Sequence, residues 1–268
     1  MRDFTLKSYR SLIEAFQQAG YQFQTFEELM VTPTAGKVVV MRHDVDELAR
    51  NALKMAQLEH RLGICATYFF RIVKQSNVPE VIRQIVVLGH EVGYHYEDLA
   101  LAQGDEETAM ASFEKNLAYF RTYYPVKSVC MHGSSSSKYD NRILWENRQL
   151  SDYGLVGEPY MSVDFNKVFY LTDTGYAWDG GKYAVRDIVE NNFGLKLHTT
   201  DDIVKCIQRG DFPEKALVLA HTLWTDNRIQ WDWLHVREFF RNNVKLVAKN
   251  NKTIAKIYQK AVEAYWKK

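Results

Sequence analysis

Short apolar runs alternate with amphipathic stretches of helical period along most of this chain. The apolar runs predict six strands, at 38–41, 66–72, 91–97, 128–132, 168–172 and 216–220. The amphipathic stretches predict helices at 6–19, 47–62, 79–88, 105–123 and 200–208, and an almost continuous helical segment at about 231–266. Strands that alternate with helices favour a parallel sheet, so we predict an α/β fold, a barrel of parallel strands with helices outside.

The length of the chain and the absence of linkers favour a single domain. The 268 residues contain no low-complexity tract and no stretch rich in Pro, Gly and Ser. One barrel of strands and helices commonly reaches this size. We therefore expect one domain over 1–268, with the helices at about 6–19 and 231–266 packed on the barrel.

Composition narrows the class of protein. The formal net charge is only +1, which gives no electrostatic footprint for nucleic acid or for an anionic membrane. No segment approaches the ~20 apolar residues of a transmembrane helix, and charges interrupt the N-terminal segment MRDFTLKSYRSLIEAF, unlike a signal peptide. Three cysteines without a CxxC pair favour a reducing compartment, so a cytoplasmic protein is predicted.

Polar side chains stand at the ends of the predicted strands. They are Asp44, Asp46, Arg71, His95, Glu97, His132 and His221. Each of these groups is able to bind a metal, carry a proton or hold an anion, and the C-terminal ends of barrel strands are where catalytic groups gather. The pattern predicts an active site at one end of the barrel.

Asp44 and Asp46 lie two residues apart in an extended segment, so their side chains leave the same face. Two adjacent carboxylates disfavour double ionisation unless a cation lies near them. A metal resolves this conflict, because one carboxylate binds it and the other accepts a proton from water. Alternatively, Asp46 caps the helix predicted to begin near Glu47. The apolar strand that leads into RHDVD favours the metal site, with His43 and Val45 facing away toward the core.

Three histidines join the candidate site. His95 lies inside a predicted strand and faces the barrel interior with Glu97 on the same side, although a histidine satisfied within the core is the alternative. His132 precedes Gly133 and a serine-rich loop, and is a metal ligand, a substrate contact or a buried hydrogen-bonded histidine. His221 ends the last strand and is a candidate general acid, because the pKa of histidine lies near neutrality.

Other candidates have equally good structural explanations. Asp173 and Trp178 follow a predicted strand and precede a Gly-Gly turn, so they orient a catalytic group or simply belong to the turn. Trp224 stacks on a sugar ring or packs in the core. Arg71 and Arg142 bind a phosphate or carboxylate of a substrate, or they pair with nearby acids.

The motifs RHDVD, ATYFFR, GHEVGYH, MHG and LAHT, in this order, resemble those of the polysaccharide deacetylase superfamily with the NodB-homology domain. The resemblance runs from about residue 37 to about residue 225, and GHEVGYH with an upstream DxD is its specific part. It implies a deformed (β/α) barrel, TIM-like, that removes N- or O-acetyl groups from polysaccharides with Zn²⁺ or a similar divalent ion. Position by position, Asp44 resembles the catalytic base, Asp46 the metal-binding aspartate, His95 the first metal histidine and His221 the catalytic histidine.

Asp173 and Trp178 resemble the motif that orients the catalytic histidine. The sequence departs from the family elsewhere: Leu99 stands where a second metal histidine is usual, and the loop after His132 lacks the usual arginine-proline motif. A catalytic zinc site generally has three protein ligands. His132 is the first candidate for the third ligand because it ends the neighbouring strand, and Glu97 is the second.

These observations predict a hydrolase that holds one divalent metal ion, zinc before others, and removes an acetyl or other acyl group from an amino sugar or sugar precursor. A role in surface-polysaccharide metabolism and a nucleotide- or lipid-linked carbohydrate substrate fit a cytoplasmic enzyme. Two alternatives stay open at this point. One is a metal-independent amidohydrolase acting on a small amide or ureide, and the other is a non-catalytic carbohydrate-binding protein on a barrel that has lost its metal.

Overall fold

The structure is a computed structural model that describes residues 2–133, 137–179, 189–190 and 192–250, without the side chains of 242 and 245–250. Three sequence predictions reach beyond these residues. They are the last part of the C-terminal helical segment, at 251–266, most of the serine-rich loop, at 134–136, and the Gly-Gly turn at 180–181.

Seven parallel strands form the sheet within the described residues. They are β1 (Gln22–Gln24), β2 (Val38–Val45), β3 (Thr67–Phe70), β4 (Glu91–Tyr96), β5 (Val129–Met131), β6 (Phe169–Thr172) and β7 (Lys215–Leu219). The order across the sheet is β5-β4-β3-β2-β7-β6, with β1 paired to the first half of β2. Since every pairing is parallel, the C-terminal ends of all strands point to the same rim.

The sheet curls into an open half-barrel surrounded by helices. β5 and β6 are its outer strands, and they do not pair with each other in the part of the chain that is described. The helices are α1 (Leu6–Gln18), α2 (Phe26–Val31), α3 (Ala49–Arg61), α4 (Pro79–Val87), α5 (Asp98–Leu101), α6 (Glu106–Phe120), α7 (Pro159–Ser162), α8 (Thr200–Gln208) and α9 (Arg228–Asn250). This architecture confirms the predicted deformed barrel of parallel strands with outer helices.

β2 is the central strand, and it is longer than predicted. It pairs with β7 through Val38–Arg42 and with β3 through Arg42–Val45. All of its residues are buried, including Arg42, His43 and Asp44, although the sequence predicted that the strand would end at residue 41. The charged residues continue the strand because each has a polar partner inside the protein, as the next subsection describes.

The predicted elements correspond closely to those observed, whereas the shortest elements were not predicted. The helix expected at 6–19 is α1, which begins with a capping box between Thr5 and Ser8 and buries Leu12, Ile13 and Phe16. β1, α2, α5 and α7 have three to six residues each, and such lengths contain too little periodicity to detect. The described residues include no helix with both the length and the apolar character needed to cross a bilayer.

Gly93 lets two neighbouring strands approach closely below the candidate site. A Cβ atom at this position of β4 would overlap the ring of Phe69 in β3 and lie 2.9 Å from the carbonyl oxygen of Ser128. We expect Gly93→Ala to lower the free energy of unfolding by about 1–3 kcal/mol, the usual cost of overpacking a core. Urea denaturation would measure the loss, and adding Phe69→Leu should recover part of it. If the loss of unfolding free energy in the double variant equals the sum of the two single losses, the proposed overlap is contradicted.

Candidate metal centre

Three potential metal ligands meet at the rim of the half-barrel. Asp46 follows β2 directly, His95 lies near the end of β4, and His132 follows β5. Asp46 Oδ1 is 3.3 Å from His95 Nε2 and 3.0 Å from His132 Nδ1. The two imidazole nitrogens, His95 Nε2 and His132 Nδ1, are 3.3 Å apart. Of the two candidates for the third ligand, the structure therefore brings His132 to Asp46 and His95.

The spacing of these three atoms fits a small divalent cation. Zinc binds nitrogen and oxygen ligands at about 2.0–2.1 Å, and a tetrahedral arrangement then separates any two ligands by about 3.3–3.4 Å. A second observation also favours a cation: Asp46 Oδ1 is buried and makes no well-formed hydrogen bond, although both imidazole nitrogens lie within ion-pair distance of it. A buried carboxylate oxygen is costly when unpaired, and a cation between the three ligand atoms would satisfy it.

The orientation of His95 leaves its ligand nitrogen available. Its Nδ1 lies 2.9 Å from the carbonyl oxygen of Cys130, in the neighbouring strand β5. A carbonyl oxygen only accepts hydrogen bonds, so Nδ1 carries the proton and Nε2 keeps its lone pair. Metal-binding histidines commonly have this type of hydrogen bond behind them.

The charges around the three ligands make the site attractive to a cation. Burial alone would raise the pKa of Asp46, but His132 and His95 together hold that pKa well below its usual value. Burial lowers the pKa of His95, yet Asp44 and Asp46 outweigh this effect and raise the pKa above its ordinary value. The site therefore holds two ionised carboxylates and retains a positive charge between them, as a proton or as a metal ion.

Asp44 is fixed by Arg42 beside the three ligands. The Arg42 guanidinium donates from Nε to Asp44 Oδ1 at 2.9 Å and from Nη2 to Oδ2 at 2.6 Å. Asp44 Oδ2 lies 3.6 Å from His95 Nε2. Burial would raise the pKa of Asp44, but the charges of Arg42, His95 and His221 keep it lowered. Asp44 is thus an ionised carboxylate with a fixed orientation, next to the candidate metal ligands.

His221 is near enough to Asp44 to help lower the pKa of that carboxylate, and it is held by Asp173. Its Nδ1 lies 2.6 Å from Asp173 Oδ1, and its backbone N–H donates to both oxygens of the same carboxylate at 3.0 Å. Since a carboxylate accepts at Nδ1, the second ring nitrogen, Nε2, is the one that can exchange a proton with a reacting group. The structure thus brings Asp173 and His221 together as the sequence predicted.

Trp224 is part of the support for His221. It is completely buried, and its Nε1 donates to Asp173 Oδ2 at 2.7 Å. The prediction that Trp224 stacks on a sugar is therefore wrong, because no face of the indole is open to a ligand. Trp178 is buried against Trp224, with ring centroids 5.8 Å apart, and its Nε1 donates to Thr200 Oγ1 at 2.9 Å. Trp178 therefore contacts the support of Asp173 and makes no hydrogen bond to the carboxylate itself.

Arg71 and Glu97 satisfy each other inside the protein. The guanidinium donates from Nε to Glu97 Oε1 at 2.9 Å and from Nη2 to Oε2 at 2.8 Å, and both residues are buried. Glu97 is thus an ion-pair partner of Arg71 and does not lie among the grouped ligands. The burial and pairing of Arg71 also contradict its predicted contact with a substrate.

Arg142 pairs at the surface with Asp140 at 2.6 Å, so its predicted contact with a substrate stays a prediction.

Arg42 is the residue of the site that sequence reasoning missed. It is fully buried, contacts Cys130 Sγ at 2.7 Å and lies over the ring of Tyr160 at 4.7 Å. The available signal was its spacing, since Arg42 is in phase with Asp44 and Asp46 in a strand of period two. Asp44, His95 and Cys130 form a second group of close ligand atoms, but a cation there would meet the Arg42 guanidinium.

Comparisons with known proteins found similarity to solved structures at low identity. No protein-family model and no curated protein matches this chain. A family 4 carbohydrate esterase from Streptomyces lividans in complex with acetate is 17% identical, over 80% of this chain and 90% of its own, with a TM-score of 0.40. A CE4 esterase from Streptococcus mutans is 13% identical over 84% and 85% of the chains, with a TM-score of 0.42. A family 4 acetyl xylan esterase from Clostridium thermocellum in complex with a cobalt ion is 16% identical over 75% and 85%, with a TM-score of 0.34.

Proposed function

We propose that this protein is a metal-dependent hydrolase that removes an acetyl or other acyl group from an amino sugar or a sugar precursor. The observation that carries the proposal is the buried Oδ1 of Asp46 within 3.0–3.3 Å of the ligand nitrogens of His95 and His132, with Asp44 alongside. Two imidazoles and one carboxylate, with a second carboxylate beside them, are the parts that hydrolytic zinc sites use.

In this proposal Asp46, His95 and His132 hold the cation, and zinc suits their donor atoms best. The bound cation supplies Lewis-acid polarisation of the acyl carbonyl and lowers the pKa of water in the site. The remaining steps belong to side chains of the protein. Asp44 accepts the proton of the attacking water, for which its lowered pKa keeps it ionised and Arg42 keeps it oriented.

His221 completes the reaction by donating a proton to the departing amine or alcohol. Asp173 fixes the ring so that Nδ1 stays bonded to the carboxylate, and the proton leaves from the opposite nitrogen. This arrangement parallels the logic by which a buried carboxylate orients a catalytic imidazole. The base thus lies on β2 and the acid lies two residues after β7, and the two strands are paired along the whole length of β7.

The substrate class and the setting are part of the same proposal. We propose a nucleotide- or lipid-linked amino sugar of surface-polysaccharide metabolism, handled in the cytoplasm. Support for a reducing compartment comes from Cys65, Cys130 and Cys206, which all lie in the described part of the chain and form no disulfide there.

Acetate release is the direct test of the function. Zinc-loaded protein would be incubated with acetylated amino-sugar oligosaccharides and with nucleotide- and lipid-linked acetylated amino sugars, before and after chelation. We expect release that stops on chelation and returns with added zinc. Release that survives complete chelation would favour the metal-independent amidohydrolase, and binding of these sugars without any release would favour the non-catalytic protein. Either result would overturn the proposal.

Zinc affinity should depend on pH because a proton competes for the same nitrogen of His95. The carboxylates raise the pKa of His95, so the ring gains its proton at a higher pH than an ordinary histidine. We expect the dissociation constant for zinc to rise by up to about tenfold per pH unit as the pH falls below that pKa, since one proton must leave for each cation bound. Competition with a chromophoric chelator between pH 5.5 and 8 would measure this dependence. His198→Ala, at an exposed histidine paired with Asp179, should leave the curve unchanged, and a flat curve in the unaltered protein would contradict the assignment.

A further inference from the structure

A buried carboxylate lies behind the candidate site and has no part in the proposed reaction. Glu59 of α3 is completely buried. Its Oε1 accepts from the hydroxyl of Tyr9 at 2.5 Å and lies 2.7 Å from His43 Nε2, and its Oε2 accepts from the hydroxyl of Tyr68 at 2.6 Å. These partners fix the position of the Glu59 carboxylate. Among them, His43 is the residue next to Asp44 of the candidate site.

His43 connects this carboxylate to the strand that carries His221. It precedes Asp44 in β2, and its ring stacks on Tyr68 with centroids 4.4 Å apart. Its Nδ1 lies 2.8 Å from the carbonyl oxygen of Ala220. Because a carbonyl only accepts, Nδ1 carries the hydrogen and donates it to Ala220, while Nε2 faces Glu59.

The hydrogen bond from His43 continues the β2–β7 contact where backbone pairing stops. The register of the two strands ends at Arg42 and Leu219, and the last backbone bond runs from the Ala220 N–H to the Arg42 carbonyl at 2.9 Å. One residue farther along both strands, the His43 side chain takes over from the backbone.

The peptide group between Ala220 and His221 is therefore held at both ends. Its carbonyl oxygen accepts from His43 at 2.8 Å, and its N–H donates to both oxygens of Asp173 at 3.0 Å. The same carboxylate holds the His221 ring through Nδ1 at 2.6 Å. A rotation of this peptide would break one of these contacts and would move the ring of His221.

We propose that His43, held in place by Glu59, is a positioning residue for His221. It fixes the peptide group that precedes the Cα atom of His221. Because His43 is the neighbour of Asp44 in β2, the same side chain also sets the position of His221 relative to Asp44. This inference rests on the proposed function for the role of His221 as proton donor, whereas its geometric part concerns only the His221–Asp173 contact.

Two substitutions at the same position separate positioning from stability. Asparagine carries its amide nitrogen at the same number of bonds from Cβ as His43 Nδ1, so His43→Asn keeps a donor for Ala220 and loses the contact with Glu59. Glutamine carries its nitrogen at the distance of Nε2, so His43→Gln keeps a contact with Glu59 and loses the donor for Ala220. Each variant removes one buried hydrogen bond, and we expect similar losses of Tm.

The expected effects on function are different. His43→Gln should lower kcat by about 10- to 100-fold, the range expected for a small displacement of a catalytic group, with KM and zinc content within about twofold of the unaltered protein. His43→Asn should retain kcat within about threefold. Tyr21→Phe removes a buried hydroxyl that donates to the carbonyl oxygens of Phe212 and Pro213, apart from Glu59 and His43, so it is a control that should lower Tm and leave kcat within about twofold.

A spectroscopic readout tests the geometry without any substrate. The proton in the short His221–Asp173 contact should give a low-field NMR signal, assigned with ¹⁵N-labelled histidine and its loss in His221→Asn. We expect this signal to shift or disappear in His43→Gln and to persist in His43→Asn. Equal behaviour of the two variants, in this signal or in kcat, would overturn the positioning role. If no substrate is hydrolysed by the unaltered protein, the proposed function fails while the NMR comparison still decides the inference.

Discussion

Replacing Asp44 with asparagine is expected to lower kcat by at least about a hundredfold while zinc remains bound. Asparagine has nearly the shape of aspartate but cannot accept a proton, and general bases typically contribute about 10²–10⁴-fold to a rate. Asp44 does not belong to the group formed by Asp46, His95 and His132, and its Oδ2 lies 3.6 Å from His95 Nε2, farther than Asp46 Oδ1 at 3.3 Å. Initial rates on the substrate found by the acetate assay, together with zinc content per chain, would measure both effects.

Stability has to be controlled in this experiment, because Asp44 is the partner of a buried arginine. Removing one member of a buried ion pair can cost about 3–5 kcal/mol, so Arg42 would be left with an uncompensated charge. The double variant Arg42→Met with Asp44→Asn removes both charges and should fold better than Asp44→Asn alone, yet remain inactive. Asp98→Asn is a matched control, since Asp98 is a buried carboxylate bonded to Tyr94 and Ser112 away from the ligands. Wild-type turnover in folded, zinc-loaded Asp44→Asn would show that another group is the base.

The alternation of apolar and polar residues was sufficient to predict the sheet and most of the site. Each strand with at least four residues was found near its predicted position, because burial imposes an apolar run that local sequence displays. The rule that functional groups follow parallel strands then placed Asp46, His95, His132 and His221 at one rim, since all the strands share one direction. Local pattern and topology together carried this part of the prediction.

Pairing between strands is what the sequence could not show. Arg71 and Glu97 each end an apolar strand, as a ligand would, but β3 and β4 are neighbours and the two opposite charges neutralise each other. Arg42 lies just past the strand predicted at 38–41, although it belongs to that strand and folds onto Asp44 inside the sheet. The Arg71–Glu97 contact becomes known only when strand order and register are known. The Arg42–Asp44 contact lies within one strand, and it becomes apparent only when that strand is known to continue beyond residue 41.

The two tryptophans near His221 illustrate a further limit. A tryptophan in the sequence can belong to a sugar-binding surface or to the core. The residues around Trp224 show no periodicity that distinguishes these two environments. The structure places Trp224 against Phe4, Tyr9 and Trp178. Phe4, near the N-terminus, is one of these neighbours. The burial of Trp224 therefore depends on a segment more than two hundred positions away along the chain.

Removing the His132 side chain is expected to weaken zinc binding by about a hundredfold and to abolish turnover when zinc is limiting. Structural zinc sites with four protein ligands bind the ion with about 10–16 kcal/mol. One ligand therefore corresponds to about 3 kcal/mol, or about two powers of ten in the dissociation constant. Competition with a chromophoric chelator would give the affinity of His132→Ala, and excess zinc should restore part of the activity. The zinc affinity of His132→Asp, which keeps a ligand atom, should lie between those of His132→Ala and the unaltered protein.

Glu97→Gln distinguishes the two candidates for the third ligand in the same assay. Both oxygens of Glu97 are taken by Arg71, so this variant should lose stability and keep the zinc affinity of the unaltered protein within about threefold. If Glu97→Gln loses zinc while His132→Ala keeps it, the ligand set is Asp46, His95 and Glu97, and Arg71 must release its partner when the metal binds. The contacts at 3.0 and 3.3 Å between His132 and the other two ligands favour the opposite result, because no side chain would have to move for His132 to reach the cation.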